Sequence, residues 1–342
     1  MAAAPPIIAA SLSPDPKVEL SIFGTADPEA IWEQVREACP DALGCFAFRV
    51  SIGALFGLEL RDGSRVALKI HTSAYSTEYL AAAQAVHEHL WRRGFPCPRP
   101  LGVREHSTVE EWRDDGVYRD GHAPEVRRAL AATFARLIEL TDELRPLPQL
   151  QRGFAFPRRV TQLWPTPHNV LFDFEATSAG AEWIDGIAGA ARVVRDEPIG
   201  REVVGHGDWV ANHVRFDGKE PCVAYDWDSL ETDREPNLLG CAAATFTYNE
   251  QLPVELEPSA EETRAFLADY AAARGATLTP DEVRAAHAAA VYVRAYATRC
   301  GHAIGRAIDR AAVEAYADEP FEVGKCLSDS ESPLRRRQIV TE

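Results

Sequence analysis

The chain has 342 residues, 46% of them hydrophobic and 26% charged, enough for a large core, most simply two lobes sharing a cleft. Its 36 Lys and Arg against 52 Asp and Glu leave a formal charge of −16, which argues against general nucleic-acid binding. No uninterrupted apolar run is long enough to span a membrane, and seven cysteines, an odd number without a CxxC pair, predict reduced thiols and a cytoplasmic setting.

Residues 1–18 begin apolar but lack a basic start, so they read as a loose tail rather than a signal peptide. Residues 45–51, 54–60 and 65–71 predict three strands. Ile52-Gly53 and Arg61-Asp62-Gly63-Ser64 are the turns between them, since Gly tolerates the positive φ of tight turns. A helix over 75–92 carries Tyr79, Ala83, Val86 and Leu90 on one face. Gly94 stops it, Pro96, Pro98 and Pro100 make an extended link, and a further strand is expected around Thr108 to Trp112. Residues 19–113 thus form a small α+β lobe.

From Asp114 the texture turns helical. Pro124 to Glu143, 182–196, Glu261 to Arg274 and Pro280 to Arg310 are the expected helices of a second lobe over 114–327. Residues 328–342 mix Ser with charge and are expected to be disordered.

Three features of this frame carry chemistry. His206-Gly207-Asp208 reads as a loop presenting a carboxylate that accepts the proton of an attacking hydroxyl. Asp226-Trp227-Asp228 reads as a strand end that holds Mg²⁺ on nucleotide phosphates. Between them Val214-Arg215-Phe216 and Cys222-Val223-Ala224-Tyr225 flank Asp217-Gly218-Lys219, a hairpin that folds Asp226 back beside Asp208. The third is Lys69, one of only four lysines, set mid-strand between Leu68 and Ile70 where a charge needs a reason. Read alone, His-Gly-Asp is also an Asp-capped turn, and Asp228 is equally the N-cap of a helix after Ser229. His87-Glu88-His89 misses the spacing of a zinc helix, and Ser51, Ser73 and Ser76 lack a base and orienter.

Gly53 to Gly57, Leu68-Lys69-Ile70, Gly94-Phe95-Pro96-Cys97-Pro98, His206-Gly207-Asp208-Trp209 and Asp226-Trp227-Asp228 together resemble the aminoglycoside phosphotransferase and choline-kinase-like branch of the protein-kinase-like fold, over roughly residues 20–320. The resemblance implies a bilobal α+β fold: a small antiparallel-sheet N-lobe with one helix and a larger, mainly helical C-lobe. It implies ATP-dependent transfer of phosphate to the hydroxyl of a small molecule, aminoglycoside-like or otherwise amine-bearing. ATP or GTP is the donor, with Mg²⁺ or Mn²⁺. Neither nucleic acid nor membrane is a partner, and the oligomeric state is left open. Asp208 is the implied catalytic base and Asp226 the metal ligand. Gly53, Gly57, Lys69 and Glu111 bind nucleotide, Glu111 at the connection between lobes. Asp228, Glu231 and Asp233 form an acidic cluster for the acceptor.

Two departures stand out. The family's second metal-ligating Asn falls on His213, five residues after Asp208, while Asn212 lies one short and is the alternative ligand. Imidazole prefers softer ions than Mg²⁺. The helix residue that should give Lys69 a Glu is Ala83, with Gln84 beside it. Both leave open a non-catalytic nucleotide- or ligand-binding module on the same fold.

Overall fold

The structure, a computed structural model, describes residues 4–144, 147–150 and 162–319. Three helices come first, α1 (Pro6–Ser11), α2 (Lys17–Phe23) and α3 (Pro28–Ala38), and proline opens the first turn of α1 and α3, where its missing N–H costs nothing. Ile8, Phe23, Ile31, Trp32 and Val35 bury themselves against Phe56, Leu58, Val66 and Leu68 of the sheet. This corrects the expected loose tail over 1–18: within it α1 and the start of α2 are folded, and Ile8 is fully buried. It also corrects the one-helix N-lobe, since α1 has six residues, too few to show a helical period.

The sheet runs in the order β1 (Ala42–Val50), β2 (Ala54–Leu60), β3 (Arg65–Ile70), β5 (Ser107–Glu111) and β4 (Pro100–Arg104), every pairing antiparallel. β4 replaces the end of the expected extended link. The period-2 alternation of strands sorts the side chains. Phe56, Leu58, Val66, Leu68 and Val109 face α1–α3, while Leu55, Ala67, Lys69, Thr108 and Glu110 line the cleft on the other face. Leu55, Lys69 and Thr108 are register partners across the three strands. Helix α4 (Thr77–Arg92) is capped by Ser76, whose hydroxyl accepts from the Tyr79 N–H at 3.1 Å, and buries Leu80, Ala83, Val86, His87 and Leu90.

After Pro124 come α5 (Pro124–Thr141), α6 (Glu182–Arg195), β6 (Glu202–His206), β7 (Val214–Asp217), β8 (Glu220–Ala224), β9 (Leu230–Arg234), α7 (Glu235–Thr245), α8 (Ala260–Arg274), α9 (Pro280–Ala303) and α10 (Arg310–Asp318). The C-lobe core joins Leu130, Phe134 and Ile138 of α5 to Trp209, Phe246, Phe266 and Tyr270, with the Trp209 indole N–H donating to the Leu130 carbonyl at 3.1 Å. The helix expected over 280–310 breaks at Ala303, and Gly305 follows with φ 70°. Leu230–Arg234 is a strand paired with β6, so Asp228 caps no helix. The tail expected at 328–342 lies outside the described residues. Six cysteines are described and all are free. Among the described residues no helix is long and apolar enough to cross a membrane.

Candidate active site

β6 ends at His206, and the next turn is held by hydrogen bonds that fix its shape. The Gly207 N–H donates to the Ser229 carbonyl at 2.7 Å. His206 Nε2 donates to the Tyr225 carbonyl at 3.0 Å, and Nδ1 accepts from the Asp208 N–H at 3.2 Å. Burial lowers the pKa of His206, so the neutral ring that this tautomer requires is the stable form. His206 therefore shapes the loop, and the loop leaves Asp208 with its carboxylate half exposed.

The β7–β8 hairpin returns the chain to this loop. Val214 pairs with Ala224 and Arg215 with Val223, and Gly218 takes φ 59° in the tight turn. Two residues beyond β8, Asp226 adopts a left-handed backbone, φ 69° and ψ 44°, uncommon for a residue with a side chain. Ligand atoms of Asp208, His213 and Asp226 all lie within 4.8 Å of one another. His213 Nδ1 is 3.1 Å from the Asp208 carbonyl oxygen and 3.7 Å from its Oδ2; donation to that carbonyl leaves Nε2 with its lone pair. The Asp226 carboxylate and the His213 imidazole beside Asp208 suit a divalent ion, the imidazole favouring softer metals than Mg²⁺. Asn212 also lines the cleft, and its buried Oδ1 has no hydrogen-bond partner among the described residues, which keeps it an alternative ligand.

Across the cleft Lys69 reaches from β3 and places Nζ 2.5 Å from Oδ1 of both Asp226 and Asp228. Burial works against ionisation at all three groups, yet their mutual attraction wins. Asp226 is held well below the usual carboxylate range and Asp228 below it, while the ammonium is raised. Asp226 Oδ2 also accepts from the Ser229 hydroxyl at 2.6 Å.

These groups open on one cavity of about 1,090 Å³, at the upper end of small-molecule pocket volumes. Gly53 lines it beneath the β1–β2 turn, where a Cβ would meet the Ile70 carbonyl at 2.8 Å. Gly57 does not line it. The missing side chain instead makes room for the Phe46 ring, which does. Glu111 lines the cavity, and its N–H is donated to the Arg99 carbonyl at 2.8 Å. Glu110 turns into the cavity as well, and burial pushes its carboxyl up to about 8. Its Oε2 lies 3.8 Å from Nδ1 of His87, a ring lowered by burial to about 3.

The expected acidic cluster is divided. Asp228 is committed to Lys69, and Glu231 lines the cavity but is buried beneath Gly207. Asp233 is buried away from it, accepting from the Arg234 N–H at 2.6 Å and the Asn237 amide at 3.3 Å. The C-lobe end of the cavity is instead made by residues that no motif marks. His168 Nδ1 lies 2.8 Å from the Tyr296 hydroxyl, Tyr248 donates to Glu250 at 2.5 Å, and Arg294 pairs with Glu257 at 2.9 Å.

The sequence profile of the phosphotransferase enzyme family matches residues 53–233. No curated protein matches the chain. A solved structure of the amicoumacin kinase hAmiN in complex with AMP-PNP, Ca²⁺ and Ami is similar over 87% of this chain and 97% of that one, with TM-score 0.63 and 13% identity. The microcompartment-associated aminopropanol kinase is similar over 84% of this chain and 93% of that one, with TM-score 0.52 and 13% identity. At these identities the likeness is one of fold.

Proposed function

The chain belongs to the phosphotransferase enzyme family, and from that premise we propose that it transfers the terminal phosphoryl group of ATP to a hydroxyl of a small, amine-bearing acceptor. The observation that carries the reading is the gathering of Asp208, His213 and Asp226 ligand atoms within 4.8 Å, opposite the Lys69 ammonium, in a cavity large enough for donor and acceptor. In phosphoryl transfer the protein mainly positions groups and neutralises charge.

Asp208 would orient the acceptor hydroxyl and take its proton as the new O–P bond forms and the bond to the leaving diphosphate breaks. Lys69 would neutralise the donor's phosphates from the N-lobe side. Asp226 and His213 would hold a divalent ion, Mg²⁺ or Mn²⁺, which when bound neutralises charge on the phosphate oxygens. Gly53 would let backbone approach the phosphates. Glu111 would meet the base through its carbonyl. An amine is supported by Glu250 and Glu257 and by the rings of Tyr248 and Tyr296 at the acceptor end, since aromatic faces attract cations.

A screen of amine-bearing alcohols with ATP and Mg²⁺ or Mn²⁺, read as ADP release, tests this, with GTP as a competing donor. The second reading, a non-catalytic nucleotide-binding module, is motivated by His213 and by Ala83. Calorimetric binding of metal–ATP without ADP release on any acceptor would favour it.

A further inference from the structure

Lys69 has two carboxylate partners, each 2.5 Å away, although the proposed function needs one of them, Asp226, for a metal ion. Helix α4 offers no replacement. It presents Ala83 and Gln84 to the cavity, and its Glu88 pairs with Arg92. The two aspartates differ in how they are held. The Asp228 side chain is 8% exposed against 21% for Asp226, and its Oδ2 lies 3.4 Å from Nδ1 of the buried His71. The Asp228 carbonyl accepts from the Tyr79 hydroxyl of α4 at 2.6 Å, and the chain continues two residues later into β9. Asp226 is more open, and its second oxygen is held by the Ser229 hydroxyl, a neutral donor that a cation outcompetes.

We propose that Asp228 is the resident counter-ion of Lys69, doing from the metal-binding segment what a carboxylate on α4 would do. Asp226 is then free to turn from the ammonium to the metal while Lys69 stays fixed for phosphate. The inference rests on the phosphotransferase reading. It makes Asp228 a positioning residue that acts through Lys69 rather than a contact for the acceptor. Without its carboxylate, Lys69 and the metal compete for Asp226, the other carboxylate within ion-pair distance of the ammonium.

The chain's four lysines make this directly visible. In protein labelled with ε-¹⁵N-lysine, the Lys69 ammonium, assigned by its loss in Lys69→Arg, should give a slowly exchanging signal that survives saturation with Mg²⁺. In Asp228→Asn the signal should vanish on Mg²⁺ addition. The Mg²⁺ midpoint for ATP binding, measured by calorimetry, should rise at least about tenfold, the factor that loss of one hydrogen bond to a charged group supplies. Affinity for ATP without metal should hold or increase, because a negative charge near the phosphates is gone. A merely structural role would lower both affinities. Asp228→Glu, which keeps the charge, should retain the wild-type signal under Mg²⁺.

The inference is overturned if the wild-type signal is absent or is lost on Mg²⁺ addition, if Asp228→Asn leaves the midpoint unchanged, or if metal-free affinity falls in parallel. Failure of the phosphotransferase reading looks different. Wild type would then bind no Mg²⁺–ATP although its Lys69 signal persists under Mg²⁺.

Discussion

Lys69→Ala should cost stability before it costs anything else. The two Oδ1 atoms share one nitrogen at 2.5 Å, so with the ammonium gone the carboxylates face each other at no more than about 5 Å. At an effective dielectric constant of about 20 that repulsion is roughly 3 kcal/mol. Breaking a buried pair by removing one partner costs about 3–5 kcal/mol, and exposures of 21–22% at Asp226 and Lys69 place this one at the lower end. The expected loss is therefore about 3 kcal/mol, read from urea denaturation at neutral pH. Millimolar Mg²⁺ should return more stability to the variant than it adds to wild type, because a cation replaces the missing ammonium. Calorimetry on the folded variant should also show weakened ATP binding. A loss below about 1 kcal/mol, with no extra stabilisation by Mg²⁺, would refute the reasoning, since it would mean that solvent already screens the pair.

Asp208→Ala should leave folding and nucleotide affinity near wild type while transfer, followed as ADP release, falls at least about 10²-fold; an equal loss of ATP binding would assign Asp208 another role. His213→Asn should shift metal preference from Mn²⁺ toward Mg²⁺ in nucleotide binding, whereas if Asn212 is the ligand, Asn212→Ala abolishes metal dependence and His213→Asn changes nothing. Glu110 would ionise near 4.5 in the unfolded chain but is held to about 8 by the fold, so the folded state binds the extra proton between those values and stability falls as pH rises through that window. Glu110→Gln should flatten that part of the profile in denaturation series, and an unchanged slope would place the carboxyl in water.

The pairing of Asp208 with Asp226 was legible because it is local: the two sit at the ends of one hairpin. Lys69 drew notice only as a charge in an apolar strand, and its meeting with Asp226, 157 residues away, is a matter of tertiary packing. The family resemblance turned these signals into an expected fold. Gly57 was misread because a close approach to a nucleotide and a close approach to the Phe46 ring leave the same glycine in the sequence. Asp233 was grouped with Asp228 and Glu231 because acidic residues close in sequence suggest one cluster; once Leu230–Arg234 pairs with β6, its carboxylate is buried. The acceptor end was invisible. His168, Tyr248 and Tyr296 meet only through tertiary packing, and a pairing such as His168 with Tyr296, 128 residues apart, has no local period. α1 was missed because so short a helix is stabilised by what it covers rather than by propensity.

The left-handed backbone at Asp226 has a consequence for how this position can drift. Glycine would adopt φ 69° without the steric cost that a Cβ brings, and asparagine is among the side chains that tolerate it best. The substitutions most comfortable for the main chain are therefore ones that would strip the carboxylate from the proposed metal site. Most of the remaining side chains would add strain to the loss of the ligand. A relaxed backbone and the proposed metal ligand therefore ask for different side chains at this residue.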